Sequence, residues 1–128
     1  MDKRFIGKKF TIMGMDAKGR GLKDARFLLQ HGALVIGTDL KKAEDLPEAL
    51  ALAREFKNLT LVLGEHRLED FRGRDYVIRA ALAPIDSPFL AEARKNDIPV
   101  VSDETLFLQM APNVRTIGIT GTRGKTTV

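Results

Sequence analysis

Short apolar runs alternate with longer amphipathic stretches along most of the chain. Runs rich in β-branched and aromatic residues predict strands at Lys9–Met13, Leu34–Thr38, Leu59–Leu63, Asp75–Ile78, Ile98–Val101 and Val114–Thr120. Between them the apolar positions recur at helical spacing. From about Arg20 to His31, Leu22, Ala25, Leu28 and Leu29 share one face, and Gly32 supplies the stop. Asp45-Leu46-Pro47-Glu48 predicts a second helix start. Asp45 would cap it, Pro47 suits the first turn and Glu48 completes a capping box. Leu46, Ala49, Leu50, Ala53 and Phe56 form the stripe expected to be buried. A third helix begins at Asp86-Ser87-Pro88 and runs to about Asn96, and a short one covers Asp103–Met110. This alternation through short loops predicts an α/β fold, a Rossmann-like doubly wound parallel sheet.

Three strand-ending turns carry candidate chemistry. Gly14-Met15-Asp16-Ala17-Lys18-Gly19, followed by Gly21, stands between a strand and a helix, where backbone amides and the helix dipole favour a phosphate. Asp16 occupies the middle position of that glycine pattern and places a negative charge beside the expected pyrophosphate, which Lys18 can offset. Asp39 ends the second strand, where nucleotide-binding folds set a carboxylate against ribose or base, and Leu40 and Lys41 follow it. The loop Ala80-Ala81-Leu82-Ala83-Pro84-Ile85-Asp86-Ser87-Pro88 leaves the fourth strand toward the same crevice, and Asp86 or Ser87 caps the next helix.

A fourth turn closes the chain. The run Thr116–Ile119 leads into Thr120-Gly121-Thr122-Arg123-Gly124-Lys125-Thr126-Thr127, a phosphate-loop pattern. Backbone amides of Gly121, Thr122, Arg123 and Gly124 would face a polyphosphate. Lys125 would meet the β/γ charge, and the Thr126 hydroxyl would hold Mg²⁺. The general pattern asks for glycine where Ile119 stands, so only the narrower T-G-T-x-G-K-T form is met. The expected division is a nucleotide-substrate domain over 1–111 and the first strand and P-loop of a truncated ATPase domain over 112–128. Val128 follows immediately, which reads as the front of a longer enzyme.

Composition narrows the classes. Hydrophobic content of 44% with 30% charged residues suits a globular chain rather than a disordered one. The 21 basic residues are interspersed with 17 acidic ones, and Tyr76 is the single Tyr or Trp, so a dedicated nucleic-acid binder is not expected. The absence of cysteine excludes disulfides and thiolate metal sites. No apolar run suggests a signal peptide or membrane span, so the expectation is a cytoplasmic monomer without membrane or nucleic-acid partners. His31 is expected to complement a helix end and His66 to be a surface loop residue. No nucleophile–base pair is visible, and the catalytic set within the chain is expected to be nil.

Together these motifs resemble the amino-terminal part of a Mur ligase. The resemblance runs through Gly14–Gly19, Gly32, Thr38-Asp39, Pro84-Ile85-Asp86-Ser87-Pro88, Ile98-Pro99-Val100-Val101 and Ile119–Thr127. Glu104-Thr105-Leu106-Phe107 favours the D-glutamate-adding branch of that family. The resemblance implies a UDP-substrate domain, a central ATPase and a further Rossmann-like domain. It implies ATP and Mg²⁺ as cofactors, UDP-N-acetylmuramoyl-L-alanine and D-glutamate as substrates, and amide formation through an acyl phosphate. It also implies that this stretch is inactive alone. On this resemblance Ala17 and Lys18 stand where the diphosphate is contacted and Asp39, Leu40 and Lys41 where uracil is held, with Gly14 and Gly19 also in the UDP-substrate site. Ala81 and Leu82 border the substrate, and Gly121–Thr127 hold ATP.

Two departures bear on the UDP site: Asp16 replaces a usual glycine, and Ala80-Ala81-Leu82 replaces Ser-Pro-Gly. The competing readings are a nicotinamide-dinucleotide domain of an oxidoreductase or regulatory protein, and a free-standing P-loop kinase. Asp16 counts against the first, because a dinucleotide needs the middle glycine. The position of the phosphate loop counts against the second.

Overall fold

Five β-rich runs pair side by side because each is apolar on both faces, as strands covered above and below must be. A computed structural model describes residues 5–16, 20–79, 86–102 and 105–106. The strands are β1 (Lys9–Met13), β2 (Leu34–Asp39), β3 (Leu59–Leu63), β4 (Tyr76–Arg79) and β5 (Val100–Val101), all parallel, in the order β3-β2-β1-β4-β5. Helices α1 (Gly21–Gln30), α2 (Pro47–Glu55) and α3 (Pro88–Lys95) make the crossovers. The predicted α/β, doubly wound sheet is therefore present. The expected strand at 114–120, the phosphate loop and most of the helix at 103–110 lie outside the described residues. Thr105 and Leu106 are helical.

Alternation along β1 divides the core. Phe10 and Ile12 face α1 and α2, among Ala25, Leu28, Leu29, Leu46, Ala49 and Leu52. Met13 faces the other side, with Phe71, Val77, Leu90, Ala93 and Ile98. On that second face the buried Thr11 hydroxyl donates to Asp70 O at 2.6 Å. Asp70 is itself buried and accepts two hydrogen bonds from Arg67, each 3.0 Å. This fixes the 3-10 turn Leu68–Phe71 beneath α3.

Helix ends show where local rules held. Gly32, at φ 88°, ends α1: its N–H reaches Leu29 O and the next N–H, from Ala33, reaches Leu28 O. That is the paired closure for which a left-handed residue is required. α3 closes in the same way with Asp97 at φ 60°. Of the two residues offered as cap of α3, Ser87 serves, its Oγ accepting from Phe89 N at 3.2 Å.

The capping box on α2 does not form. Leu46 occupies the cap without a side-chain hydrogen bond, because Asp45 is taken up in a 3-10 turn over Ala43–Asp45. The buried stripe of α2 shifts as well. Leu46, Ala49 and Leu52 are fully buried, whereas Leu50, Ala53 and Phe56 are only half-buried.

Candidate functional site

The strand order reverses at β1, which lies between β2 and β4. In such sheets ligands bind outside the carboxyl ends of the strands at that reversal. The turn after β1 and the turn after β2 meet there, and their geometry begins with two glycines. Gly14, at φ 115°, takes a conformation that side chains disfavour and donates its N–H to Thr38 O at 2.8 Å. Gly21 opens α1 so close to the turn that a Cβ on it would stand 1.8 Å from Gly14 O and 3.2 Å from Ile12 Cγ2. The tight packing of helix on strand thus rests on Gly21.

Asp39 holds the two turns together. Its Oδ2 accepts from Met15 N at 2.7 Å and its Oδ1 from Lys41 N at 2.9 Å. Each carboxylate oxygen still has a lone pair for a further donor such as a ribose hydroxyl. Met15 is fully buried against Gly37 of β2, where an added Cβ would stand 2.6 Å from its Sδ. Leu40 is 65% exposed and presents an apolar surface beside Asp39.

The side chains of Asp16 and Lys41 reach across the two turns to form an ion pair. The hydrogen bond from Lys41 to Asp16, more than any other cause, raises the lysine above its ordinary pKa. Lys41, from the neighbouring turn, is thus one partner for the unexpected negative charge. Lys18, which sequence proximity suggested, lies outside the described residues, as do Ala17, Gly19, Ala81, Leu82 and the ATP-loop positions Gly121–Thr127.

His66 corrects an expectation. Instead of a surface loop residue it is half-buried, with its ring edge-on to both Phe71 and Phe89. Its Nδ1 lies 2.8 Å from the Thr38 hydroxyl, which also reaches Glu65 O at 3.2 Å. Burial pushes the ring's pKa down against the opposing pull of Asp39 and Asp70. His66 therefore braces the end of β2 from behind, linking it to the start of α3. Nothing local in Gly64-Glu65-His66-Arg67 signals this, since both aromatic neighbours come from later elements. His31 caps α1 and packs against Phe5 and Phe27.

Among the described residues no group of three or more His, Asp or Glu is placed to hold a metal, and no helix is long and apolar enough to cross a membrane. A groove of about 370 Å³ is lined by α1 and α2 residues, including Leu22, Phe27 and Glu48, and by none from the strand-ending turns.

No family model matches the chain. Curated relatives do. It is 40% identical over 125 residues to the UDP-N-acetylmuramoylalanine–D-glutamate ligase of Roseiflexus sp. (strain RS-1), covering 97% of this chain and 26% of that protein. The ligase of the same name from Koribacter versatilis is 35% identical over 121 residues, 94% of this chain and 26% of its own length. That of Treponema pallidum is 33% identical over 120 residues, 93% and 22% respectively. Among solved structures, a bacillithiol disulfide reductase from Bacillus cereus aligns with 50% of this chain and 21% of its own. That likeness has 21% identity and a TM-score of 0.38, too low to bear on activity. The relatives do not favour the nicotinamide-dinucleotide alternative. The chain spans about a quarter of the length of the ligases it matches, an extent consistent with their amino-terminal part. By this shared sequence, over nearly all of its own length, the chain belongs to the UDP-N-acetylmuramoylalanine–D-glutamate ligase family of Mur ligases.

Proposed function

We propose that the chain supplies the UDP-substrate site of an ATP-dependent ligase. That enzyme would join D-glutamate to the alanyl carboxylate of UDP-N-acetylmuramoyl-L-alanine, in cytoplasmic peptidoglycan precursor synthesis. The observation that carries this reading is the joined pair of turns at the sheet's reversal point, with Asp39 accepting from both Met15 N and Lys41 N. The nucleotide would lie over that junction. The start of α1 would face its diphosphate, Asp39 its ribose or base, and Leu40 the flat face of uracil.

The role assigned to these residues is binding and positioning. Amide formation through an acyl phosphate made from ATP is proposed for the whole ligase and draws on no side chain among the described residues. ATP and Mg²⁺ belong, on the same resemblance, to Gly121–Thr127, with Thr126 on the metal. We expect no ligase activity from these 128 residues alone.

Calorimetric titration of the chain with UDP-N-acetylmuramoyl-L-alanine, and separately with NADH, tests the reading. Saturable binding of the UDP-sugar without NADH binding is the expected result. Binding of NADH alone would replace it with the dinucleotide alternative.

A further inference from the structure

Asp16 and Lys41 stand on the two turns that the nucleotide reading assigns to opposite ends of the ligand. Asp16 belongs to the glycine turn, on the diphosphate side, and Lys41 to the turn after β2, on the base side. Their backbones are held in register by Asp39, which accepts from Met15 N and Lys41 N, the residues just before Asp16 and at Lys41 itself. The lysine side chain crosses from its own turn to the glycine turn and meets the Asp16 carboxylate. Its ammonium is therefore already on the phosphate side of the crevice. Both side chains remain accessible, at 51% for Lys41 and 28% for Asp16. A pair so exposed adds little to the stability of the fold, so its consequence lies in what it does to an arriving anion.

We propose that Lys41 is a phosphate ligand held in reserve by Asp16, so that the diphosphate of a bound nucleotide must win the ammonium away from that carboxylate. This rests on the nucleotide-site reading above and deepens it. Lys41 would serve the phosphates rather than the base. The aspartate at the glycine position would then weaken, without abolishing, the affinity for nucleoside diphosphates. Two oxyanions compete for one cation, and a diphosphate brings more charge and more acceptor oxygens than a single carboxylate, which lets it prevail. A ligand without phosphates does not compete for the ammonium, so Asp16 leaves its affinity unchanged.

The test is a four-protein cycle: the parent chain, Asp16→Asn, Lys41→Met and the double variant, each titrated with UDP and with uridine. Thermal unfolding first establishes that all four are folded, as expected for exposed side chains. Asp16→Asn should bind UDP about two- to fivefold more tightly than the parent, the range expected when an exposed ion pair no longer has to be broken. Uridine affinity should not change. In the Lys41→Met background the same Asp16→Asn change should give no gain.

An equal gain in both backgrounds would mean that Asp16 simply repels the phosphates, and would overturn the proposal. So would an unchanged UDP affinity in Asp16→Asn, or a gain for uridine as large as that for UDP. Failure of UDP to bind any of the four folded proteins would overturn the nucleotide site itself, and this proposal with it.

Discussion

The carboxylate of Asp39 accepts the backbone N–H of Met15 at 2.7 Å. A residue at the end of β2 thereby sets the path of the chain as it leaves β1. Its other oxygen takes Lys41 N at 2.9 Å, and its backbone carbonyl takes Gly64 N at the same distance. Three strand-ending turns converge on one residue before any ligand is considered.

Asp39→Ala should therefore lower stability as well as ligand affinity. Loss of two charge-assisted hydrogen bonds at a half-buried site is expected to cost about 1–3 kcal/mol. Urea unfolding measures this, and a change within error of zero would show that the turns hold without it. Asp39→Asn keeps one acceptor oxygen and should lose less.

Gly21→Ala should be among the most damaging single-methyl changes in the domain. The new Cβ meets a backbone oxygen at 1.8 Å, which cannot swing aside as a side-chain tip can. The start of α1 must move off β1, at a cost of about 3 kcal/mol or more. A loss below about 1 kcal/mol in denaturant unfolding would contradict that close approach.

His66 should make stability depend on pH. Its native pKa lies below the ordinary value of 6.5 because burial penalises the cation. Between those two values the unfolded chain binds more protons than the native one, so stability rises with pH across that window. The contribution is fully present above about pH 6.5 and is lost as the pH falls through the native pKa. Unfolding midpoints measured at about pH 7.5 and pH 5.5 should converge more closely in His66→Asn than in the parent chain. An identical pH dependence in both would refute the assignment.

Ser87→Ala and Asp86→Ala separate two residues that the sequence alone offers equally as caps for α3. Ser87 is 7% exposed and its Oγ accepts from Phe89 N, so its loss should cost about 1 kcal/mol. Asp86 is exposed, and its replacement should cost less than about 0.5 kcal/mol. Thermal melts of the two variants decide between them.

Much of this protein is legible in its sequence because the signals are local. The period of the apolar residues predicts β1 and β3 to the residue, and β2, β4 and β5 within one or two positions. Gly32 ends α1 as expected, because a left-handed closure needs only that one residue. The glycine turn and Asp39 likewise fall, as their positions in the sequence suggest, at the ends of β1 and β2, where the two turns meet. Family membership was legible too, since the ordered motifs resemble those of Mur ligases and nearly the whole chain matches such relatives.

What only the tertiary structure decided concerns groups far apart in sequence. Asp45 lost its capping role to a 3-10 turn, and the buried face of α2 rotated toward Leu52, because packing on the sheet outweighs a local cap. His66 came to rest against Phe71 and Phe89 and behind Thr38, contacts that no spacing rule could foresee. Asp16 found a cation in Lys41, 25 positions along the chain. The physical reason is common to all three. Periodicity and caps act within a turn or two of helix, whereas a side chain's partner depends on which strands the sheet brings side by side.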